Sequence, residues 1–299
     1  MFKRSAANRY PVMQVLAHVV LILLCLLILT PFVLMIMSSV TEEMTLLTGG
    51  YKLWPRKFGL EAYAYIFDRG ETILRSYLMT MLVTVIGTTV SLLLTSFTAY
   101  PLSRRDYPRR RLFTFMVLFT LLFNGGLVPT YMFWTQIVGI KNTIFAYLMP
   151  NLMLKAMYVL LFKNYFATNI PMEIIEAAKI DGAKELRIFF KIVLPLALPI
   201  LAAIGLLIGL DYWNDWQNGL YYVTKAHLYT YQTLLNRMIK EINFLASAGN
   251  EYGNLSGVAI PSTSVRMAIA TIGAVPILLI YPFFQKYFSK GLTIGAVKG

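Results

Sequence analysis

Three observations predict an all-α integral membrane protein. Six apolar runs reach membrane length, only 14% of the 299 residues are charged, and the basic residues are unevenly divided between the segments joining the runs. Mean hydropathy is +0.62, too high for a soluble domain of this size. The formal net charge of +13 is spread over inter-span segments rather than packed into a nucleic-acid face, so it reads as topology and nucleic acid is not expected as a partner. A single cysteine, Cys25, lies in the first apolar run and excludes a disulfide framework or cysteine metal site. His18 and His227 are far apart in sequence and read as interfacial or loop residues. Nothing divides the chain compositionally, so residues 1–299 are expected to form one transmembrane domain.

The predicted spans are 17–37, 77–100, 112–133, 143–162, 196–216 and 267–284. About 20 helical residues cross the hydrocarbon layer. The first run follows a basic start with Lys3, Arg4 and Arg9; it is too long for a secretory signal and reads as an uncleaved anchor. The 38–76 segment is mixed and polar, with Trp54, Pro55 and a short amphipathic piece at 61–67. The third run ends in Asn124-Gly125-Gly126, a helix breaker near the far interface. Residues 217–266 form a connection too long to lack structure of its own, and 230–244 has helical periodicity.

Six spans put both termini on one side. That side holds Lys3, Arg4, Arg9, five arginines at 104–111, Lys163, Lys179, Lys184, Arg187, Lys191, Lys286, Lys290 and Lys298. The opposite segments are longer in total and hold fewer bases, and 38–76 balances its bases with Glu42, Glu43, Glu61, Asp68 and Glu71. The positive-inside rule therefore predicts cytoplasmic termini in a multi-pass cell-membrane protein.

The polar stretch EAAKIDGAKELRIFFKIVLP, residues 176–195, separates the fourth and fifth runs on the cytoplasmic side. Pro171 suits a first helical turn, with Thr168 or Asn169 as the cap before it. A helix follows over 172–179, and Gly182 allows the chain to turn without a Cβ penalty. A second short helix resumes at about Ala183, with Leu186, Phe189, Phe190 and Val193 on one face. Pro195 and Pro199 mark the start of the next run. An amphipathic elbow of 171–195, bent at one glycine and too polar for lipid, is the expectation.

Glu176-Ala177-Ala178, three residues, Gly182, nine residues, then Ile192, Leu194 and Pro195 resembles the EAA signature of ABC importer permeases. The resemblance implies a type I importer transmembrane domain in which the elbow is a coupling helix seated in a groove on a cytoplasmic ATPase. Glu176 would then meet the ATPase, Ala177 and Ala178 would permit close approach, and Gly182 would make the bend. The run AAKIDGA resembles the carbohydrate-importing branch, and Asp181 is read both as that branch's residue and as an N-cap for the second helix. The tail GLTIGAVKG, 291–299, is similar to the C-terminus of polysaccharide-type permeases. Implied partners are a second homologous permease in a heterodimer, two ATPases, an external sugar-binding protein docking on the 217–266 region, and membrane lipid. ATP and Mg would bind those ATPases, with no cofactor on this chain.

Polar residues at membrane depth are pathway candidates because lipid cannot satisfy them. Tyr212, Trp213, Asn214, Asp215 and Trp216, beside Asp211, offer aromatic faces for sugar rings and polar groups for hydroxyls; an interfacial aromatic belt is the plainer reading. Trp213-Asn214 resembles a pair found in carbohydrate permeases. Lys155 reads first as a snorkelling or salt-bridged residue, for instance with Asp211, and second as a cavity lysine for an acidic sugar. Asn124 is a loop residue first and a vestibule residue second. No G-x-x-x-x-G-K-[ST], H-E-x-x-H, C-x-x-C or G-x-S-x-G occurs, so the chain carries no recognisable enzyme centre and energy must come from other chains. The oligosaccharide importer permease is set against an ion-coupled transporter working without an ATPase, for which the spans offer few acids, chiefly Asp211 and Asp215.

Overall fold

The computed structural model describes residues 11–68, 70–252 and 262–296. Lys3, Arg4, Arg9, Arg69, the 253–261 segment and the last three residues of the 291–299 tail lie outside them. The elements among the described residues are all helices, with one isolated bridge between Thr41 and Phe58. Two compact units emerge, one drawn from Met1–Gly70 and Ile239–Val275, the other from Glu71–Met238 and Pro276–Gly299.

In the first unit, α1 (Pro11–Ser39) is apolar on every side and exposed along most of its length. Such a helix has no core stripe and is suited to lipid or to another apolar chain. The helices α2 (Glu43–Gly49) and α3 (Glu61–Asp68) follow. The 61–67 piece is amphipathic as its spacing predicts, burying Ala62 and Ile66 four residues apart. Glu43 is buried and ties α2 to a remote segment. Its carboxylate accepts the N–H groups of Thr263 and Ser264 at 2.9 and 2.8 Å and the Ser264 hydroxyl at 2.6 Å. These are the first free N–H groups of the long helix that closes the chain, so a distant acid does the work of an N-cap.

The second unit is built on α4 (Gly70–Ser103), which contains the second predicted span whole. The third run is not one helix. Its halves, α5 (Arg110–Leu122) and α6 (Leu127–Met132, continued by a π turn to Ile137), meet at 112°. The break is the Asn124-Gly125-Gly126 step, where the Asn124 side chain accepts the Gly126 N–H at 2.8 Å. The fourth run is also broken: α7 (Phe145–Leu148) stops, 149–155 is irregular, and α8 (Ala156–Asn169) resumes. The expectation of a continuous helix over 143–162 is corrected accordingly. Alone, the 14 residues of α8 rise only about 21 Å, short of the roughly 30 Å hydrocarbon layer.

Backbone inside a membrane must be satisfied by protein. The irregular 149–155 stretch and its border receive three side-chain donors. Tyr212 donates to the Leu148 carbonyl at 2.9 Å, Asn218 to Pro150 at 3.1 Å and Ser91 to Leu152 at 3.3 Å. Tyr212 reaches its acceptor by lying against Gly87 of α4, where an added Cβ would come within 2.6 Å of the ring. Around this join sits the main core, including Val83, Tyr147, Val159, Phe162, Ile204 and Ile208.

After the elbow come α9 (Met172–Ile180), α10 (Glu185–Ile188) with a π turn over Phe189–Val193, α11 (Leu194–Leu196) and α12 (Leu198–Trp213). The helical path bends by 84° at Ala197, between Pro195 and Pro199. The 217–266 connection has helices of its own, α13 (Gln217–Tyr222) and α14 (Tyr231–Tyr252). The latter extends beyond the predicted 230–244 and buries Tyr231, Leu235 and Met238 along one face. The last helix, α15 (Ser262–Ala296), contains the sixth predicted run. Among the described residues, α1 and α4 are long and apolar enough to span unbroken, and the two bent pairs raise that to four.

Two stability predictions follow from these packing arrangements. Gly87→Ala is expected to displace the Tyr212 ring and lower stability by about 1–3 kcal/mol, read as a drop in detergent melting temperature; an unchanged value would contradict the close packing. Burial opposes the Glu43 charge, but the Ser264 and Thr263 hydrogen bonds outweigh it and hold its pKa below the ordinary 4.5. Its stabilisation is therefore complete above that ordinary value and lost as pH falls through the lower folded one. Glu43→Gln should flatten this acid-side loss in a melting-temperature series from pH 7 downward.

Candidate functional site

The elbow begins differently from expectation. Thr168 and Asn169 belong to the end of α8, and their side chains bond back to the carbonyls of Asn164 and Tyr165. Pro171 is the extended residue just before α9, not its first turn. The far end of α9 is closed by a glycine motif. The Gly182 N–H bonds to the Lys179 carbonyl at 3.0 Å, and the Ala183 N–H reaches the Ala178 carbonyl at 2.9 Å. This is the Schellman pattern, and Gly182 adopts the left-handed φ of 75° that it requires. Asp181 is the C-cap of α9; the N-cap position of α10 is Lys184, so Asp181 does not cap the second helix.

One face of α9, Ile175 and Ala178, is buried, while Glu176, Ala177, Asp181 and Gly182 are exposed. Ile180 projects at 86% exposure. In the second half, Phe189 and Val193 point inward as expected, together with Ile188, but Leu186 and Phe190 are exposed. The π turn over Phe189–Val193 rotates side chains relative to a 3.6-residue repeat within the second half of that face.

Arg104, just past the end of α4, anchors the elbow. Its buried guanidinium forms a bidentate pair with Asp106, including an Nε–Oδ1 bond of 2.8 Å, and meets Glu185 at 2.8 Å. It also donates to the Tyr100 hydroxyl at 3.0 Å. Lys179 of α9 contacts Asp106 at 3.3 Å and Glu185 at 3.2 Å. Charges from α4's tail, α9 and α10 thus close on one another across the glycine turn. Hydrogen bonding from Arg104 pulls the Asp106 carboxyl down to about 2, against the opposing effect of burial. Bidentate guanidinium–carboxylate geometry is more rigid than a lysine pair.

The pathway candidates separate into distinct environments. Lys155, at the start of α8, pairs with Asp211 at 2.6 Å, and Tyr158 donates to the same oxygen at 2.7 Å. The pairing expected of Lys155 is therefore present. Tyr212 is buried and committed at both ends, its ring to Gly87 and its hydroxyl to Leu148. Trp213 is buried, with its ring 6.2 Å from Tyr77 and its indole N–H without an acceptor among the described residues. The helix ends there: Asn214 closes the last turn, which holds Asp211, with an N–H bond to the Leu210 carbonyl at 3.0 Å, and Asp215 lies beyond it. Asn214 is the exposed C-cap of α12 and bonds back to Leu210. Asp215 accepts the Asn218 N–H of the first turn of α13 at 3.1 Å, and its second oxygen is buried without a hydrogen-bond partner among the described residues. Trp216 is exposed, and Asn124 is exposed at the α5–α6 break.

Two functional supports were invisible as such in sequence. In sequence Arg104 and Asp106 read as part of a basic turn, although Asp106 is the one acid within 101–111. Asn142, with φ 59°, accepts the N–H groups of Thr224 and Lys225 at 2.7 and 3.2 Å and pins the chain after α13. Arg104→Gln is expected to destabilise the protein by about 1–3 kcal/mol. Combined with Glu185→Gln, the loss should be smaller than the sum of the single losses. Additive melting shifts would show that the two side chains do not interact.

Comparison with known proteins places this geometry in a family. The family described as "Binding-protein-dependent transport system inner membrane component" matches residues 76–294. The polygalacturonan/rhamnogalacturonan transport system permease protein YtcP of Bacillus subtilis is 38% identical over 93% of this chain and 96% of its own. The arabinooligosaccharides transport system permease protein AraQ of Halalkalibacterium halodurans is 29% identical over 90% of this chain and 91% of its own. A crystal structure of a bacterial ABC transporter involved in the import of the acidic polysaccharide alginate contains a chain with TM-score 0.78 and 27% identity, covering 96% of this chain and all of that one. The matched region runs from α4 through the elbow into α15, and the chain belongs to the inner-membrane permeases of binding-protein-dependent ABC transport systems.

Proposed function

We propose that this chain is the translocation subunit of an ATP-driven importer of oligosaccharides, coupled to its ATPases through α9 and α10. The observation that carries the reading is the elbow: a glycine-closed turn presents Glu176, Ala177 and Ile180 outward while Arg104 and Lys179 hold its base to the bundle. A lever needs both properties, an outward contact face and a stiff attachment. In this reading the elbow and both termini are cytoplasmic, as the distribution of bases favours. Two ATPase subunits bind ATP and Mg, a second permease completes the pore, and an external sugar-binding protein docks near α13 and α14. Closure of the ATPases moves the elbow and alternates access to a central cavity.

The relatives' printed substrates, galacturonan-type and alginate polysaccharides and arabinooligosaccharides, support the substrate class. Trp216 and Asn214, both exposed, are the pathway groups best suited to sugar contact, with Asp215 beneath them. Tyr212 and Trp213 would shape the wall from behind. The Lys155 ammonium is matched by Asp211, so it supplies no spare positive charge for an acidic sugar.

In proteoliposomes holding the full transporter, Glu176→Lys and Gly182→Val are each expected to cut sugar-stimulated ATP hydrolysis and uptake roughly tenfold, the effect of about 1.4 kcal/mol. The valine acts through backbone strain alone, because no atom lies within 4 Å of the Gly182 Cβ position. Insertion into the membrane should persist. Coupled uptake at the unaltered rate in both variants would refute the assignment.

A further inference from the structure

A cavity of about 900 Å³ lies between the end of α4, the start of α5 and the α8–α9 junction. Five bases line it, Arg104, Arg105, Arg110, Arg111 and Lys163, against one acid, Glu173. Arg104 is committed to the elbow anchor. Among the described residues, the other four bases have no carboxylate within ion-pair distance. The first turn of α5 has no side-chain cap and no acidic residue, so arginines occupy the positive end of that helix. That arrangement is electrostatically unfavourable until an anion arrives.

Further along α5 the lining turns apolar. Phe115 and Leu118 line the cavity and are exposed at 61% and 39%, and α5 as a whole buries none of its residues. The volume falls within the roughly 300–1,000 Å³ of sites that hold small ligands.

We propose that this cavity binds the headgroup of an anionic phospholipid, with its acyl chains along α5. A soluble anion would use only the charged half of the site; a lipid phosphate with hydrocarbon attached uses both. Basic pockets beside membrane helices suit such headgroups. Because Pro171, Met172 and Glu173 also line the cavity, the lipid would touch the root of the elbow. The proposed orientation determines only which leaflet supplies the lipid.

The test uses the full transporter in nanodiscs, with diazirine-bearing phosphatidylglycerol or phosphatidylcholine of the same acyl chains. Photolabelling of 110–118 and 163–175 is expected with phosphatidylglycerol and not with phosphatidylcholine. Labelling should fall roughly fivefold for each cation removed in Arg110→Gln, Arg111→Gln and Lys163→Gln. Should any of these variants fail to fold, the comparison of the two lipids on the unaltered protein still decides. Equal labelling by both lipids, or loss of label on adding inorganic phosphate, would overturn the proposal. So would variants that lose the ATPase subunits but keep the lipid, since the cations would then serve a protein partner. Failure of the coupling mechanism alone would leave labelling unchanged while the Glu176 and Gly182 variants transported normally.

Discussion

Everything in the second unit is arranged around a break that lipid cannot heal. The fourth apolar run opens over 149–155, and hydrocarbon offers its carbonyls nothing. Tyr212, Asn218 and Ser91 supply the missing donors from three other helices. Each donor constrains its own element: Gly87 must be small for Tyr212 to fit, and α13 must start where Asn218 reaches Pro150. The Lys155–Asp211 pair stitches the far side of the same break. An irregular segment held this way can line a cavity without unravelling its helix.

The elbow is organised by a second, electrostatic constraint. A Schellman turn fixes the angle between α9 and α10, but nothing in the turn fixes the pair to the bundle. Arg104 does so, because its planar guanidinium addresses Asp106 and Glu185 at once. Lys179 closes the ring from α9. Displacement of the outward face by a partner would therefore be felt at the end of α4, the helix against which Tyr212 packs. Mechanical continuity from elbow to broken span is the physical basis for the coupling proposed above.

Much of this was legible in the sequence, and the reasons for the rest are specific. Hydropathy locates all six apolar runs, yet it averages over backbone, so the breaks at 149–155 and Ala197 leave little trace beyond Pro150, Pro195 and Pro199. Glycine chemistry marks Gly182 and the Asn124 turn because few other residues take those angles. The helix at 230–244 shows its period because one face is buried and the other polar. A 3.6-residue count places Leu186 and Phe190 on the inward face, and it does not anticipate the π turn that begins at Phe189. Asp211 suggested a partner for Lys155 because unmatched charge at membrane depth is costly. Arg104 and Glu185, 81 residues apart, carry no local signal of their pairing, and nothing in the sequence shows that the Tyr212 hydroxyl is taken by a main-chain carbonyl rather than left for a sugar.

The most direct test of the account is a cross-link from the elbow. With Cys25 replaced by alanine, Ala177→Cys is combined with single cysteines in the groove of a co-purified P-loop ATPase and oxidised in native membranes. The account predicts an adduct of the two chains from Ala177→Cys and none from Trp216→Cys. No adduct from position 177, or modification of that cysteine by a membrane-impermeant maleimide added outside intact cells, would contradict it.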